Sequence, residues 1–254
     1  MANKNTPDNE QKRAKAILVL GMHRSGTSLV SGCLSLAGVD LGSGLMRGNS
    51  TNPKGHWEQN DILAVHKELL ASFDMSWDSV GALPSSWLDH PSTIQAEKEI
   101  FSILEANFSK SKLWAIKEPR LCRLLPLWER ILDKLKIQPI YLNVVRDPQE
   151  TALSLQKRND FSVEKGRALW ATYNFDIFNN STQKKQHATV LFDGFLQDPV
   201  LNVEKILKAA GLELTLAQNS QKEIKTFCDK SLRHHKVKEA KLNVLDNADL
   251  FYTN

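Results

Sequence analysis

Four short apolar runs divide the chain of 254 residues, and each run ends at a glycine or at charged residues. Such runs are typical of strands that are buried in a parallel sheet. The predicted strands are 16–20, 112–116, 140–145 and 188–192. Elsewhere, apolar residues recur every three or four positions, which is the spacing of amphipathic helices. The predicted helices are 29–37, 61–72, 94–108, 124–135, 148–157, 163–179 and 199–210.

Strands that alternate with helices predict a parallel sheet covered by helices on both faces. We therefore expect an α/β fold with an open, mainly parallel sheet. Ligands of such sheets bind beyond the carboxyl ends of the strands. The predicted strands run into Gly21, Lys117, Arg146 and Asp193, so we expect these residues at one edge of the sheet. Residues 38–60 are predicted to form a long loop. Loops of this length in a compact domain are either functional or disordered.

The composition is that of an ordinary globular protein, with 41% hydrophobic and 24% charged residues. We expect a flexible tail over 1–15 and a single α/β domain over 16–254, in which 214–254 has only a partly helical pattern. The net charge of +4 suits an anionic ligand, but no dense basic stripe indicates nucleic-acid binding. The run at 16–20 is too short to cross a bilayer.

The three cysteines, Cys33, Cys122 and Cys228, lie far apart in the sequence. They have no metal-site spacing, and their odd number does not suggest a disulfide framework. The first sixteen residues are polar and contain no apolar signal core. A reducing compartment fits these features best, and we expect a cytoplasmic protein.

The stretch GMHRSGTS at 21–28 has the G-x-x-x-x-G spacing of a phosphate-binding loop between a strand and a helix. Backbone N–H groups at a helix N-terminus attract anions. Arg24 adds a cation to the loop, and Ser25, Thr27 and Ser28 add hydroxyl donors. A nucleotide hydrolase has lysine after the second glycine, where this chain has Thr27. A tight turn without a ligand is the structural alternative.

With this loop, the sequence resembles the sulfotransferase family, whose similar loop holds the 5′-phosphosulfate of 3′-phosphoadenosine 5′-phosphosulfate (PAPS). Arg24 stands at the cation position of the family, while His23 is expected to shape the loop. The stretch RDPQETALS matches a second family element, because Arg146 ends a strand and Ser154 follows eight residues later. In the family this pair holds the 3′-phosphate. The resemblance covers about residues 16–212 and implies a P-loop-type fold.

The resemblance also implies which side chains contact the cofactor and which take part in catalysis. The expected cofactor-binding residues are His23, Arg24, Ser25, Gly26, Thr27, Ser28, Arg146 and Ser154. The expected catalytic residues are Glu58, Lys117 and Arg24.

The catalytic assignment rests on two further stretches, NPKGHWE and KEPR, which resemble bacterial and carbohydrate-type members. Lys117 aligns by motif with a catalytic lysine of related protein-tyrosine sulfotransferases, and Glu58 matches their base by type and placement. Glu58 would take the proton of an acceptor hydroxyl. Arg24 and Lys117 would stabilise charge on the leaving phosphate. His56 is the alternative base.

Each of these residues also has a structural interpretation. Lys117 would be a surface lysine at a strand end, and Glu58 a solvated loop carboxylate. Arg146 would form an ion pair with Asp147 or Glu150. On this view the spacing of the motifs carries no functional meaning.

Aromatic residues and the C-terminal segment bear on the acceptor. Trp57, Trp77 and Trp87 suit stacking on a sugar, with core packing as the alternative. The Arg-Lys-Gly element of cytosolic sulfotransferases is absent from the sequence. The stretch LRHHK, which includes Arg233 and Lys236, either replaces its cations or forms a solvated helix end.

Three functions stay open at this level. The first is a sulfotransferase that moves a sulfuryl group from PAPS to a hydroxyl of a carbohydrate or glycolipid, leaves adenosine 3′,5′-bisphosphate (PAP) and requires no divalent metal. The second is a P-loop kinase or nucleotide hydrolase, in which Asp193 of TVLFD would bind magnesium. The third is a non-catalytic module that binds PAPS or PAP.

Overall fold

The computed structural model describes residues 13–49, 52, 54–181, 186–212 and 215–228. Its strands are β1 (Lys15–Leu20), β2 (Leu113–Ile116), β3 (Gln138–Val145) and β4 (His187–Leu191). Its helices are α1 (Thr27–Leu36), α2 (Asn60–Ala71), α3 (Pro91–Phe108), α4 (Leu125–Lys134), α5 (Pro148–Asn159), α6 (Val163–Ser181), α7 (Phe192–Gln197), α8 (Pro199–Ala209) and α9 (Gln218–Phe227). Short 3₁₀ turns cover Trp87–Asp89 and Pro119–Cys122.

The four strands form one parallel sheet in the order β2-β1-β3-β4. β1 lies in the middle, with Leu18 opposite Ile116 of β2 and Leu20 opposite Asn143 of β3. β4 pairs with the outer side of β3. The predicted fold class, an open parallel sheet with helices on both faces, is confirmed. The carboxyl ends of all four strands therefore meet at one edge.

Alternate residues of β1 face two separate apolar cores, because side chains alternate across a strand. The first core receives Ala16, Leu18 and Leu20 and is covered by α2 to α6. The second core receives Ile17 and Val19 and is covered by α1 and α7 to α9. Each of these five side chains is at most 1% exposed. This burial on both faces explains the unbroken apolar run, since none of the positions 16–20 meets water.

Two aspartates fix the starts of helices that follow strands or turns. The Asp147 carboxylate accepts a hydrogen bond of 2.9 Å from the N–H of Glu150 and caps α5. The Asp198 carboxylate accepts one of 3.0 Å from the N–H of Leu201 and caps α8. A proline follows each aspartate, as predicted from the sequence. The cap at Asp147 holds the start of α5 against the edge where β3 ends.

One strand end differs from the prediction. The sequence predicts a strand over 188–192 that runs into Asp193, but β4 ends at Leu191 and α7 begins at Phe192. Phe192, Phe195 and Leu196 are buried in the second core. Burying one face of this short helix outweighs the low helix propensity of the Asp-Gly pair.

The tail predicted over 1–15 and the single domain predicted over 16–254 stay predictions. β1 begins at Lys15, whose Nζ donates to the carbonyl of Ala210 at 2.8 Å. Residues 1–12, like Arg233 and Lys236, lie outside the described residues. Among the helices that the structure describes, none is long and apolar enough to cross a membrane.

The three cysteines are buried free thiols. Although 195 residues separate Cys33 from Cys228, their Sγ atoms lie 3.2 Å apart, where the end of α9 packs against α1. The sequence spacing gave no indication of this contact. The cytoplasmic location expected from the cysteine content stays a prediction.

A buried polar cluster crosses the first core and supports the loop that follows β2. Trp128 Nε1 donates to His66 Nε2 at 2.9 Å, so His66 Nδ1 carries the proton and donates to Glu118 at 2.5 Å. The other Glu118 oxygen forms an ion pair with Arg120. Burial raises the pKa of Glu118, but His66 and Arg120 outweigh it and hold that pKa below its usual value. The cluster ties α2 and α4 to the end of β2.

We expect His66→Ala to lower the free energy of unfolding by about 3 kcal/mol, because the indole N–H and the Glu118 carboxylate would both lose a buried partner. Urea denaturation at pH 7 measures this change. Lys67→Ala is the matched control, since Lys67 is the exposed neighbour on the same helix and should change the free energy by less than about 0.5 kcal/mol. Equal losses in the two variants would refute a structural role for the cluster.

Candidate active site

The loop between β1 and α1 has three residues of positive φ: Gly21 at 149°, Arg24 at 71° and Gly26 at 95°. A Cβ at position 26 would lie 2.2 Å from the ring of Phe192, and one at position 21 would lie 2.6 Å from the carbonyl oxygen of Val144. Both glycines are therefore required by space as well as by conformation. Arg24 adopts the left-handed conformation without being glycine, which is strain of a kind that clusters at functional sites.

Several hydrogen-bond donors lie where the loop joins α1. Ser25 is 1% exposed, and its Oγ has no hydrogen-bond partner among the described residues. Thr27 is the first residue of α1, whose N-terminal N–H groups lack intrahelical acceptors. The Ser28 hydroxyl donates to the carbonyl of His56 at 3.3 Å. A buried hydroxyl without a partner is costly, and an oxyanion in the loop would satisfy it.

Two predicted motifs form one connected site. Arg24 Nε donates to Ser154 Oγ at 2.8 Å, and Arg146 Nη1 donates to the Arg24 carbonyl at 3.2 Å. Arg146 also forms an ion pair of 3.0 Å with Glu150, so the structural interpretation of this arginine is realised as well. Burial and the nearby charge of Arg146 lower the pKa of Arg24. These hydrogen bonds connect Arg146 at the end of β3, Arg24 in the loop and Ser154 in the middle of α5.

Glu58 and Lys117 meet although 59 residues separate them in the sequence. Lys117 Nζ donates to Glu58 Oε1 at 2.5 Å, and the residues are 3% and 6% exposed. Lys117 is therefore not a surface lysine, and Glu58 is not a solvated loop carboxylate. The pair bridges the end of β2 and the turn before α2, directly beside the phosphate-binding loop.

Both candidate histidines of the site are held in the neutral form. The ring of His23 lies 4.6 Å from Trp77 and 6.3 Å from Tyr173. Burial, followed by nearby cations, lowers the pKa of His23 well below its usual value. Burial also lowers the pKa of His56, although Glu58 opposes the shift. The Nε2 atoms of His23 and His56 have no hydrogen-bond partner among the described residues.

Two arginines of the site were not assigned a role from the sequence. Arg120 is held by Glu118, a contact that nothing in the sequence indicates. Arg158 lies one helical turn after Ser154 on α5, and its guanidinium carbon is 5.3 Å from the ring centroid of Trp77. Residues i and i+4 share a helix face. The four-residue spacing between Ser154 and Arg158 could therefore have indicated from the sequence that both lie at the same site.

The three tryptophans have different environments. Trp87 is 8% exposed and belongs to the first core, as the structural alternative predicted. Trp57 packs edge-to-face against Phe227 at 6.2 Å. Of these three tryptophans, Trp77 alone has a ring contact with a residue of the phosphate-binding loop in the described part of the chain, and that residue is His23.

Cations dominate the electrostatics of the site. The cations that act on the loop or on one another are Arg24, Lys117, Arg120, Arg146 and Arg158. The carboxylates paired with three of them are Glu58, Glu118 and Glu150. Such an excess of positive charge over a loop of N–H donors suits a ligand that carries several negative charges.

Asp193 is the candidate magnesium ligand of the kinase interpretation. It is an exposed residue in the first turn of α7, beyond the edge strand β4. β3 separates β4 from the strand that carries the phosphate-binding loop.

Comparison with known proteins yields no matching family model and no matching curated sequence. Solved structures do match. The sulfotransferase domain of the Synechococcus PCC 7002 olefin synthase is 15% identical, with a TM-score of 0.52 over 90% of this chain and 91% of that chain. Sulfotransferase STF1 from Mycobacterium tuberculosis H37Rv is 14% identical (TM-score 0.48; 86% and 72% covered). The sulfotransferase domain of the curacin biosynthetic pathway is 16% identical (TM-score 0.45; 80% and 76% covered).

The likeness to the olefin synthase domain spans nearly the whole of both chains. At 15% identity this likeness indicates the fold alone, because proteins of one fold can differ in their chemistry. The chain has the fold of a sulfotransferase domain.

Proposed function

We propose that this protein is a PAPS-dependent sulfotransferase that transfers a sulfuryl group to a hydroxyl of a carbohydrate or glycolipid. The observation that carries the proposal is the connection between the two motifs, in which Arg24 of the loop donates to Ser154 and Arg146 donates to Arg24. One site thus gathers donors for two separate anionic groups. PAPS carries two such groups, the 5′-phosphosulfate and the 3′-phosphate.

The donor set fits PAPS. The unpartnered Ser25 hydroxyl, Thr27, Ser28 and the N–H groups at the start of α1 would hold the 5′-phosphosulfate. Arg146 and Ser154 would hold the 3′-phosphate. His23 is neutral and packed against Trp77, so it supports the loop rather than adding charge.

The residues around the Glu58–Lys117 pair would carry out the chemistry. When bound, PAPS supplies the sulfuryl group that the acceptor hydroxyl receives. A hydrogen bond from Lys117 holds the Glu58 carboxylate in place. This carboxylate would take the proton of the acceptor hydroxyl. Lys117 and Arg24 stabilise the negative charge that grows on the departing phosphate. His56, neutral and with an unpartnered Nε2, is the alternative base.

The first prediction from this proposal distinguishes a sulfotransferase from a kinase or nucleotide hydrolase. PAP at 100 times its dissociation constant should stabilise the protein by about 2.7 kcal/mol, which raises the melting temperature of a chain of this size by roughly 5–10 °C. ATP with magnesium should give a smaller shift, because Thr27 stands where the phosphate-gripping lysine would be. Differential scanning fluorimetry measures both. Stabilisation by ATP with magnesium but not by PAP would reject the sulfotransferase proposal.

The second prediction concerns the 3′-phosphate. Arg146→Gln combined with Glu150→Gln removes both charges of a buried ion pair, so neither is left unpaired. We expect the dissociation constant for PAP to rise roughly 10- to 100-fold, because this is the contribution of one charge-assisted hydrogen bond to binding. Isothermal titration calorimetry measures the affinity.

The matched ligand for this test is adenosine 5′-monophosphate, which lacks the 3′-phosphate. Its affinity should stay within about threefold, because the loop that holds the 5′ end is unchanged. Glu150→Gln alone is the control for the loss of the carboxylate. An equal loss for both nucleotides would place Arg146 outside the 3′-phosphate site.

The third prediction concerns the base. Glu58→Gln should lower kcat by roughly 10²- to 10⁴-fold while the affinity for PAP changes little. Sulfate transfer from labelled PAPS to a panel of saccharides measures turnover. His56→Gln is the matched variant, expected to retain most activity. The reverse result would make His56 the base, and PAP binding with no turnover in the unaltered protein would favour a non-catalytic module.

A further inference from the structure

Two of the three cysteines meet in the second core, where the end of α9 packs against α1. Cys33 Sγ lies 3.2 Å from Cys228 Sγ, and either thiol can donate to the other. The S–S bond of a disulfide is about 2.05 Å long, so an approach of roughly 1 Å would join the two sulfurs. Cys122 belongs to the first core, on the opposite face of the sheet, and accepts from the N–H of Gly21. The fold therefore brings one specific pair of thiols together.

The two thiols of this pair differ in exposure and in acidity. Cys33 is fully buried, whereas Cys228 is 7% exposed at the C-terminal end of α9. The hydrogen bond from Cys33 lowers the pKa of Cys228 against the effect of burial, and the positive charge of Lys54 adds to the lowering. The same contact, together with burial, raises the pKa of Cys33. Because the thiolate is the nucleophile in cysteine oxidation, Cys228 is the thiol that would react first with an oxidant.

Few side chains hold α9 on the domain. Ile224 is the only one of the ten described residues of this helix that is buried, and Phe227 at its end is partly buried. Elements with few buried apolar contacts open locally at a low cost in free energy. A covalent bond at the end of α9 would therefore strongly change how often this helix leaves its place.

The end of α9 is also connected to the segment before α2. Phe227 packs so closely on α1 that a Cβ at Gly32 would lie 2.4 Å from its ring. The carbonyl of Phe227 accepts a hydrogen bond from Lys54, and its ring lies 6.2 Å from that of Trp57. Both of these side chains belong to the segment 54–58, which contains the two candidate bases. The position of α9 is thus coupled to the position of this segment.

We propose that Cys33 and Cys228 are a redox-sensitive pair, which a peroxide converts into a disulfide that locks the end of α9 onto α1. In a reducing compartment a disulfide is typically transient and serves to sense oxidants. The bond would hold the segment 54–58 in place through Phe227. This inference does not rest on the proposed function, because neither cysteine belongs to the proposed donor site.

The chemistry needs two thiols and one molecule of hydrogen peroxide. The Cys228 thiolate attacks one peroxide oxygen, the O–O bond breaks, and the sulfur becomes a sulfenic acid while the other oxygen leaves as water after protonation. The Cys33 thiol then attacks the Cys228 sulfur, which forms the S–S bond and releases the sulfenic oxygen as a second water. The two thiols lose two electrons in total, and these reduce the peroxide.

The first test oxidises the unaltered full chain with hydrogen peroxide at pH 7 and then blocks the remaining thiols with iodoacetamide in denaturant. Peptide mass spectrometry should find Cys33 joined to Cys228, with Cys122 alkylated. Differential scanning fluorimetry should show a melting temperature that is higher by roughly 5–15 °C in the oxidised protein, because the bond constrains the unfolded chain. Dithiothreitol should reverse both changes.

Two variants test the order of the steps. In Cys33→Ser the sulfenic acid on Cys228 has no thiol partner, so dimedone should label Cys228 after oxidation. Cys228→Ser should give no label on Cys33 and no rise in melting temperature. Melting of each reduced variant reports on folding. A label on Cys33 in Cys228→Ser would contradict the assignment of Cys228 as the thiol that reacts first.

Hydrogen exchange measures the effect of the bond on the fold. In the oxidised protein the amides of 54–58 and of α9 should exchange roughly tenfold or more slowly than in the reduced protein, because the disulfide opposes the opening of α9. Cys228→Ser treated with the same peroxide is the matched control and should show no such slowing.

Three further outcomes overturn the inference. They are two thiols that stay free after oxidation, as expected of cysteines that serve only as small apolar side chains; a disulfide that involves Cys122 or joins two chains; and a bond between Cys33 and Cys228 that leaves melting and exchange unchanged. None of these measurements includes a nucleotide, so their result is separate from the question of whether the protein binds PAP.

Discussion

The pairing of β1 with parallel strands on both sides is the constraint on which the rest of this structure depends. It buries β1 on both faces and leaves its carboxyl end open in the middle of one sheet edge. β2 and β3 then deliver Lys117 and Arg146 to either side of the phosphate-binding loop. Residues from distant parts of the sequence therefore meet without any local signal that they will do so.

Support for this edge comes from two kinds of contact. Below it, Glu118 forms an ion pair with Arg120 and accepts a hydrogen bond from His66, and His66 accepts a hydrogen bond from the indole N–H of Trp128. Across it, Arg24 reaches Ser154 on α5. The first contact anchors the segment after β2 within an apolar core, and the second joins the loop to the helix after β3. The cations at the edge are thereby fixed before any ligand arrives, which is the condition for electrostatic preorganisation.

The sequence predicted the elements better than the contacts between them. All four strands were predicted from their apolar runs, and burial on both faces explains the unbroken run of β1. The starts of α5 and α8 were predicted because Asp-Pro pairs are strong capping signals. α7 was not found, since its Asp-Gly pair is typical of a turn. The pairing of His66 with Glu118 across 52 residues depends on which helix covers which face of the sheet, and periodicity does not carry that information. For the same reason nothing in the sequence indicates the contact between Arg158 and Trp77.

Phe192 has a consequence that reaches beyond its place in the second core. Its ring leaves room only for glycine at position 26, and the Arg146 guanidinium lies 4.8 Å from the centroid of the same ring. One aromatic side chain thus touches both the phosphate-binding loop and the arginine after β3. A larger or smaller side chain at position 192 would shift both the loop and the arginine. Substitutions at positions 26, 146 and 192 are therefore not independent. We expect relatives with a different residue at position 192 to differ at position 26 or 146 as well, so that these positions co-vary.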